Sequence, residues 1–193
     1  MPVKKFKTLF LDLDETLVHS CSDRDQSQYT LKVRNESGNE TKIKLNIRPY
    51  ALDLIHSVSH YYEIVIFTAS SHNYATMVTN LLDPQHKYIN GILSRDQCLE
   101  TKNGFFIKDL RIIRNRDLRN VILVDNLAHS FGFQIDNGIP VLGWTEDKND
   151  IELKELTDYL IQAAFVDDLR VHNRSKLQLH KLLEMKEKDL FSF

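Results

Sequence analysis

Three short apolar runs of the sequence each end in a residue that can do chemistry: Thr8–Leu11 before Asp12, Ile64–Phe67 before Thr68, and Val121–Val124 before Asp125. Continuous apolar runs of this length are typical of strands that are buried on both faces of a parallel sheet. Ligands of such sheets bind outside the carboxyl ends of the strands. A single polar residue after a strand usually belongs to a turn or a helix cap, but three of them together predict a functional site.

Two carboxylates, Asp12 and Asp14, follow the first run and precede Thr16. Residues two apart on an extended segment point the same way, so the two carboxylates are expected to lie close together. Carboxylates in contact repel each other, and one pKa rises unless a cation intervenes. Such a pair can supply a charged nucleophile or metal ligand and, separately, a proton donor. The alternative is that Asp14 only caps the turn that it begins.

The segments between the runs are predicted to be helical. Pro49 predicts the start of a helix that runs to about His60. Ser70 or Ser71 is expected to cap a second helix over His72–Leu82. Asn149 and Glu152 form a capping-box pattern that predicts a third helix to about Phe165. A fourth, weaker run, Ile139–Leu142, contains Pro140. Strands that alternate with helices predict an α/β fold, a doubly wound parallel sheet with helices on both faces.

One segment interrupts this alternation. Tyr29–Arg34 and Lys42–Ile47 alternate apolar and polar residues and flank the turn formers of Asn35–Asn39. This pattern predicts a small β-hairpin inserted after the first strand. We expect no large cap domain, so the site should be open enough to admit a protein segment.

Composition limits the classes of function. The 193 residues suit one compact domain, and 25 basic against 27 acidic residues give a net charge of −2. No global basic field therefore favours nucleic acid or an anionic membrane as a direct partner. No apolar run approaches the ~18–20 residues of a membrane span. The oligomeric state is left open.

The cysteine content bears on the compartment. Cys21 and Cys98 form neither a disulfide framework nor a zinc pattern, which predicts a reducing, intracellular location, nuclear or cytoplasmic. The N-terminal segment Met1–Lys7 is basic, but the apolar stretch after it meets Asp12 too soon for a secretory signal. We therefore expect no leader.

Four segments, in order along the chain, resemble the motifs of haloacid dehalogenase-like phosphatases: Leu11–Ser20, Phe67–Ser70, Phe106–Leu110 and Val121–Asn126. More narrowly, they resemble the branch related to the phosphatases of the RNA polymerase II C-terminal domain. The resemblance extends from about Lys7 to Asp168. It implies a magnesium-dependent phosphatase of phosphoserine or phosphothreonine in other proteins, with the polymerase tail as one candidate substrate. Residues 1–168 would form the phosphatase domain and residues 169–193 a C-terminal helical extension.

The resemblance also implies catalytic and metal-binding roles. Asp12 would attack phosphorus to form an aspartyl-phosphate, and Asp14 would protonate the leaving oxygen and then deprotonate the hydrolytic water. Mg²⁺ would be held by the Asp12 carboxylate, the Asp14 backbone carbonyl and the Asp125 carboxylate. Asn126 would support the metal shell or its water.

Three further residues are candidates for binding the phosphate. Thr68 offers a hydroxyl next to backbone N–H groups that open the following helix. Lys108 would neutralise the charge of the nucleophile and the phosphate. For Arg95, a phosphate contact and a plain surface role are both open.

Members of this branch that act on the polymerase tail typically use apolar residues near the active site to hold a proline beside the phosphoserine. This sequence departs from that pattern. Ser22 and Ser71 stand where apolar residues are typical, and Leu127-Ala128 stands where Ser-Pro is common. These departures predict a weakened proline preference.

Two other classes of function remain as alternatives. One is a binding or scaffold module on the same fold that no longer turns over substrate, which would have no chemical need for both Asp12 and Asp14. The other is a small-molecule phosphatase, which usually needs a cap to close over its substrate. Zinc is not expected, because the spacing of His19, His72 and His129 matches no common zinc pattern.

Overall fold

A computed structural model describes residues 7–22, 26–34, 38 and 40–181, without the side chains of Val33 and Arg34. The strands are β1 (Lys7–Leu11), β2 (Val18–Cys21), β3 (Tyr29–Arg34), β4 (Glu40–Ile47), β5 (Tyr62–Phe67), β6 (Ile89–Leu93), β7 (Leu99–Glu100), β8 (Phe106–Ile107), β9 (Val121–Asp125) and β10 (Gly138–Pro140). The α-helices are α1 (Ala51–Val58), α2 (His72–Leu82), α3 (Glu152–Ala163) and α4 (Leu169–Leu177). Short 3₁₀ turns occupy Arg95–Gln97, Leu110–Ile112, Leu118–Asn120, Ala128–Phe131 and Ile135–Asn137.

Five strands form a parallel sheet in the order β10-β9-β1-β5-β6. The chain adds β5 and β6 on one side of β1 and then crosses back to add β9 and β10 on the other. The order therefore reverses between β1 and β9, which is where doubly wound sheets bind ligands. The predicted α/β fold with a parallel sheet is confirmed. Strand β6 was not predicted, because Asn90-Gly91 interrupts its apolar pattern.

The two faces of the sheet are covered differently. Leu9 and Leu11 of β1 pack in one core cluster with buried residues of α1, α2 and α3, whereas Phe10 faces a second cluster. There the cover comes from 3₁₀ turns, including Leu110 and Phe131. A Cβ on Gly138 would come within 2.1 Å of the Phe131 ring, so glycine is required for this packing.

The insertion after β1 is a three-stranded antiparallel sheet in the order β2-β4-β3. Its β3–β4 hairpin is the predicted one, with Leu31 opposite Ile43, although β4 begins at Glu40 instead of Lys42. Strand β2 was not predicted, and it pairs Val18 with Ile47. Within the described ranges, no larger cap follows β1.

Helix α2 spans His72–Leu82 as predicted, whereas the starts of α1 and α3 differ from the sequence predictions. Helix α1 begins after Tyr50, whose φ of 63° breaks the helix that Pro49 was expected to open. Ser71 occupies the N-cap position of α2 but makes no side-chain cap bond. The capping box of Asn149 with Glu152 is wrong, because Glu152 instead accepts a hydrogen bond from the Leu142 N–H.

The C-terminal extension begins with a helix that packs on the body. The Asp168 side chain caps α4 by accepting from the Arg170 N–H, and Leu169 and Asn173 are buried. Residues 182–193 of the predicted extension lie outside the described residues. No described helix is both long and apolar enough to cross a membrane.

Candidate active site

The predicted site residues meet in one open cleft of about 450 Å³ at the carboxyl ends of the central strands. The cleft is lined by all of them, together with neighbours considered below: Asp12, Asp14, Thr68, Arg95, Lys108, Asp125 and Asn126. Asp12 follows β1, Thr68 follows β5, and Asp125 ends β9. The cleft therefore spans the switch point between β1 and β9, as expected for a ligand site in this topology.

A buried lysine joins the two aspartates across the switch point. The Lys108 Nζ lies 2.6 Å from Asp12 Oδ1 and 2.6 Å from Asp125 Oδ2. All three side chains are buried, with relative exposures of 6% for Asp12, 2% for Lys108 and 1% for Asp125. Two carboxylates this close would repel each other, and the ammonium between them offsets that repulsion.

Burial and charge act in opposite directions on these groups. Burial raises the pKa of Asp12 to about 7, against the lowering effect of the Lys108 ammonium. Burial lowers the pKa of Lys108, but Asp12 and Asp125 together raise it above its ordinary value. Lys108 is therefore a permanent cation at physiological pH.

The loop after β1 fixes the second oxygen of Asp12. The Thr16 hydroxyl donates to Asp12 Oδ2 at 3.1 Å. The buried Arg48 guanidinium in turn donates to the Thr16 carbonyl and forms an ion pair with Asp150. Glu15 takes a positive φ of 56°, which turns the chain sharply between Asp14 and Thr16. Asp12 thus has both oxygens held while it faces the cleft.

Asp14 is held by helix α2 and the residue before its cap. The Ser70 hydroxyl donates to Asp14 Oδ2 at 2.7 Å, and the Tyr74 hydroxyl donates to Asp14 Oδ1 at 2.5 Å. The Tyr74 hydroxyl also lies 3.1 Å from the Ser20 hydroxyl. Burial, with Asp14 nearby, raises the pKa of Tyr74, so its hydroxyl remains a donor. The Asp14 carboxylate is therefore directed at α2 instead of capping its own turn.

Sequence reasoning missed Tyr74, and it gave Ser70 a place in the second motif and a possible helix cap but no contact with Asp14. The available signal was the four-residue spacing between Ser70 and Tyr74, which places them on neighbouring turns at the start of a predicted helix.

Thr68 and Arg95 differ in how firmly they are placed. Thr68 is buried, and its hydroxyl accepts from the Ser70 N–H at 3.0 Å. Arg95 is exposed, its Nε donates to the Ala69 carbonyl at 2.7 Å, and its guanidinium lies 5.4 Å from the Phe106 ring centre. The structure places Arg95 at the cleft edge, and its contact with phosphate stays a prediction.

The donor set at the cleft fits magnesium better than zinc. Asp12 and Asp125 already reach one cation, the Lys108 ammonium. Among the described residues, no group of three or more His, Cys, Asp and Glu side chains is arranged around a common metal position. A metal here would need the two carboxylates with backbone and water oxygens, which Mg²⁺ accepts and a structural zinc site does not.

The chain has a doubly wound α/β sheet, with paired aspartates and a buried lysine at its switch point. This combination suits a protein that binds and transfers a phosphoryl group. Comparison with known families agrees, because residues 7–170 match the family described as NLI interacting factor-like phosphatase. The chain belongs to this family. The resemblance predicted from its four motifs is confirmed.

Two relatives illustrate the relationship. The chain is 42% identical over 177 residues to CTD small phosphatase-like protein 2 from Dictyostelium discoideum, covering 91% of this chain and 30% of that protein. It is 32% identical over 187 residues to CTD nuclear envelope phosphatase 1 from Xenopus tropicalis, covering 92% of this chain and 75% of that protein. The chain spans about half of the length of two other relatives.

A solved structure supports the fold. The fission yeast RNA polymerase II CTD phosphatase Fcp1, bound to beryllium fluoride, superposes with a TM-score of 0.59 at 20% identity. The match covers 94% of this chain and 56% of that chain. At this identity the likeness concerns the fold alone.

Proposed function

We propose that the chain is a Mg²⁺-dependent phosphatase that hydrolyses phosphoserine and phosphothreonine in other proteins through an aspartyl-phosphate on Asp12. The observation that supports this most is the arrangement of Asp12, Lys108 and Asp125. An aspartate at the switch point faces an open cleft, with one buried cation bonded to it and to a second carboxylate. A purely structural role would not need two buried carboxylates beside a cleft.

Asp12 acts as the nucleophile in this proposal. One of its oxygens forms a bond to phosphorus while the bond from phosphorus to the serine oxygen breaks. Lys108 and Thr16 hold the two Asp12 oxygens beforehand, so little reorientation is needed at the moment of reaction. Lys108 and Thr68 contact the phosphate oxygens, and Lys108 offsets their negative charge.

Asp14 moves the protons. It gives a proton to the departing serine oxygen, and then takes one from the water that attacks the aspartyl-phosphate. Phosphate leaves and the Asp12 carboxylate is restored. Ser70 and Tyr74 hold both Asp14 oxygens and so define the orientation of this group.

The residues that would hold Mg²⁺ are Asp12 and Asp125, through their carboxylates, and Asp14, through its backbone carbonyl. Asn126 lines the same cleft and would support the metal shell. When bound, Mg²⁺ supplies a positive charge that stabilises the phosphoryl oxygens.

Proteins are the proposed substrates because no large cap covers the described cleft. The names of the relatives, which refer to the CTD and to the nuclear envelope, support a phosphoprotein substrate, and the polymerase tail remains a candidate. A nuclear or cytoplasmic location is also proposed, in keeping with Cys21 and Cys98, which form no disulfide with each other.

The experiment compares the parent chain with Asp12→Asn on a phosphoserine peptide panel, with Mg²⁺ and with a chelator. Asp12→Asn should abolish turnover while leaving the fold intact, because the amide is a poor nucleophile of the same shape. The exposed Asp53 of α1 offers a matched control, and Asp53→Asn should keep parent activity. Activity of Asp12→Asn near that of the parent, or turnover that ignores the chelator, would contradict the mechanism. Peptide binding without any turnover by the parent would favour the scaffold alternative.

A further inference from the structure

Large apolar side chains are exposed along one wall of the catalytic cleft. Phe105 is 53% exposed and Leu127 is 49% exposed, and both line the cleft that contains Asp12. His129 lies beside them, with its ring centre 5.0 Å from that of Phe105 in an edge contact. We call Phe105, Leu127 and His129 the aromatic rim. It combines side chains from two loops into one surface.

The aromatic rim is rigidly connected to the catalytic residues. Phe105 lies three residues before Lys108, whose N–H donates to the Ser130 carbonyl at 2.7 Å and so joins the two loops. The Leu127 N–H donates to Asp125 Oδ1 at 2.8 Å. Movement of the rim relative to the cleft would break bonds that also position the catalytic groups.

The turn that carries Phe105 is also ordered by its own hydrogen bonds. Phe105 and Thr101 exchange backbone and side-chain bonds of 2.8 and 3.0 Å. Gly104 takes a φ of 78°, which glycine adopts without strain. The Phe105 ring is thus presented to solvent by a preorganised turn, and exposed aromatic surface at the edge of a site is typical of a binding surface.

The rest of the cleft lining offers little comparable surface. Its other residues include the polar Ser70 and Arg95, the Arg95 guanidinium lies against the Phe106 ring, and Leu31 and Ile43 of the inserted sheet pack against the main core. Next to them, the groove between that sheet and α2 is lined partly by charged and polar side chains, among them Lys32 and His72. Apolar recognition is therefore concentrated on the side of the aromatic rim.

We propose that the aromatic rim binds an apolar side chain of the phosphoprotein substrate, located within three residues of the phosphoserine or phosphothreonine. Phe105 and Lys108 are three residues apart, and three extended residues span roughly 10 Å. A substrate segment of about the same length would therefore reach from a phosphate beside Lys108 to the aromatic rim. This inference rests on the proposed phosphatase function and adds a substrate class to it. The occupant is a substrate segment because the rim is continuous with the catalytic cleft.

The test uses the full chain and seven-residue peptides of alanine and serine with a central phosphoserine. Leucine replaces the residue at each other position in turn, and kcat/KM is measured for each peptide. We expect at least one position where leucine raises kcat/KM about tenfold, which corresponds to about 1.4 kcal/mol. Phe105→Ser should reduce that advantage, which is the ratio of kcat/KM between the leucine peptide and the unsubstituted peptide, to about twofold.

Phe133 provides the matched control, because it is 54% exposed and is not among the residues that line the cleft. Phe133→Ser should keep the full leucine advantage. The proposal is overturned if leucine gives no advantage at any position, or if the advantage survives Phe105→Ser. If the parent chain turns over no substrate, the Kd of the same peptides is compared by the same criteria. That outcome would reject the phosphatase function and still decide whether the rim binds apolar residues.

Discussion

Replacing Tyr74 by phenylalanine isolates the role of one hydroxyl at the proposed proton donor. The Tyr74 hydroxyl donates to Asp14 Oδ1 at 2.5 Å, and Ser70 holds the other oxygen. Tyr74→Phe removes the first bond and keeps the ring, which is 8% exposed and packs in the core. The Asp14 carboxylate then loses one of the two bonds that define its orientation.

The size of the effect follows from these contacts. A hydrogen bond to a charged group contributes ~1.5–3 kcal/mol. Asp14 is half-buried, so water can partly replace the hydroxyl, and the lower end of that range applies. A loss of ~1.4 kcal/mol in the transition state lowers the rate about tenfold. We expect this loss in the first chemical step with a phosphoserine peptide, whose alkoxide is a poor leaving group that needs a proton from Asp14.

The assay compares that step with the first step on p-nitrophenyl phosphate, by rapid quench. Nitrophenolate departs with little proton transfer, so Tyr74→Phe should slow this step by about twofold or less. Tyr159 offers a control, because its hydroxyl donates to Asn173 Oδ1 at 2.8 Å outside the cleft. Tyr159→Phe loses one tyrosine hydrogen bond and should leave both rates unchanged. Equal losses for Tyr74→Phe on the two substrates would refute a positioning role.

Three further predictions concern the charges and the specificity of the site. Lys108→Met should abolish turnover and lower the free energy of unfolding in chelator by ~3–5 kcal/mol, because it leaves two buried carboxylates without their cation; urea titration measures this. Although burial raises the pKa of Asp83, three backbone N–H donors lower it below its ordinary value. Its contribution to stability is therefore present above about pH 4 and is lost as the pH falls through the folded pKa. Asp83→Asn should cost ~1–3 kcal/mol at pH 7 and progressively less as the pH falls below about 4, as measured by urea unfolding. Because Ser22 and Ser71 are polar, paired phosphopeptides with proline or alanine after the phosphoserine should differ little in kcat/KM. A proline advantage of about 100-fold, or ~2.7 kcal/mol, would instead show that a proline pocket exists.

The central strands and their terminal residues could be predicted from the sequence because their signals are local. Strands β1, β5 and β9 are short apolar runs, and each run was expected to end at the residue that enters the cleft: Asp12, Thr68 or Asp125. Because parallel strands run in the same direction, their carboxyl ends, and with them these three residues, lie at one edge of the sheet. The hairpin of the inserted sheet was equally visible in its alternating pattern. Strand β2 was missed because it has only four residues, and β6 was missed because Asn90-Gly91 resembles a turn.

The identities of the catalytic candidates were in the sequence, but their contacts were decided by the tertiary structure. Asp12 and Lys108 lie 96 residues apart, and only the folded chain brings the ammonium between Asp12 and Asp125. The orientation of Asp14 likewise depends on Tyr74, 60 residues away. The aromatic rim has the same origin, since no local pattern relates Phe105 to Leu127. Local periodicity specifies which residues end a strand, whereas burial, pKa and hydrogen-bond partners depend on which distant segments pack together.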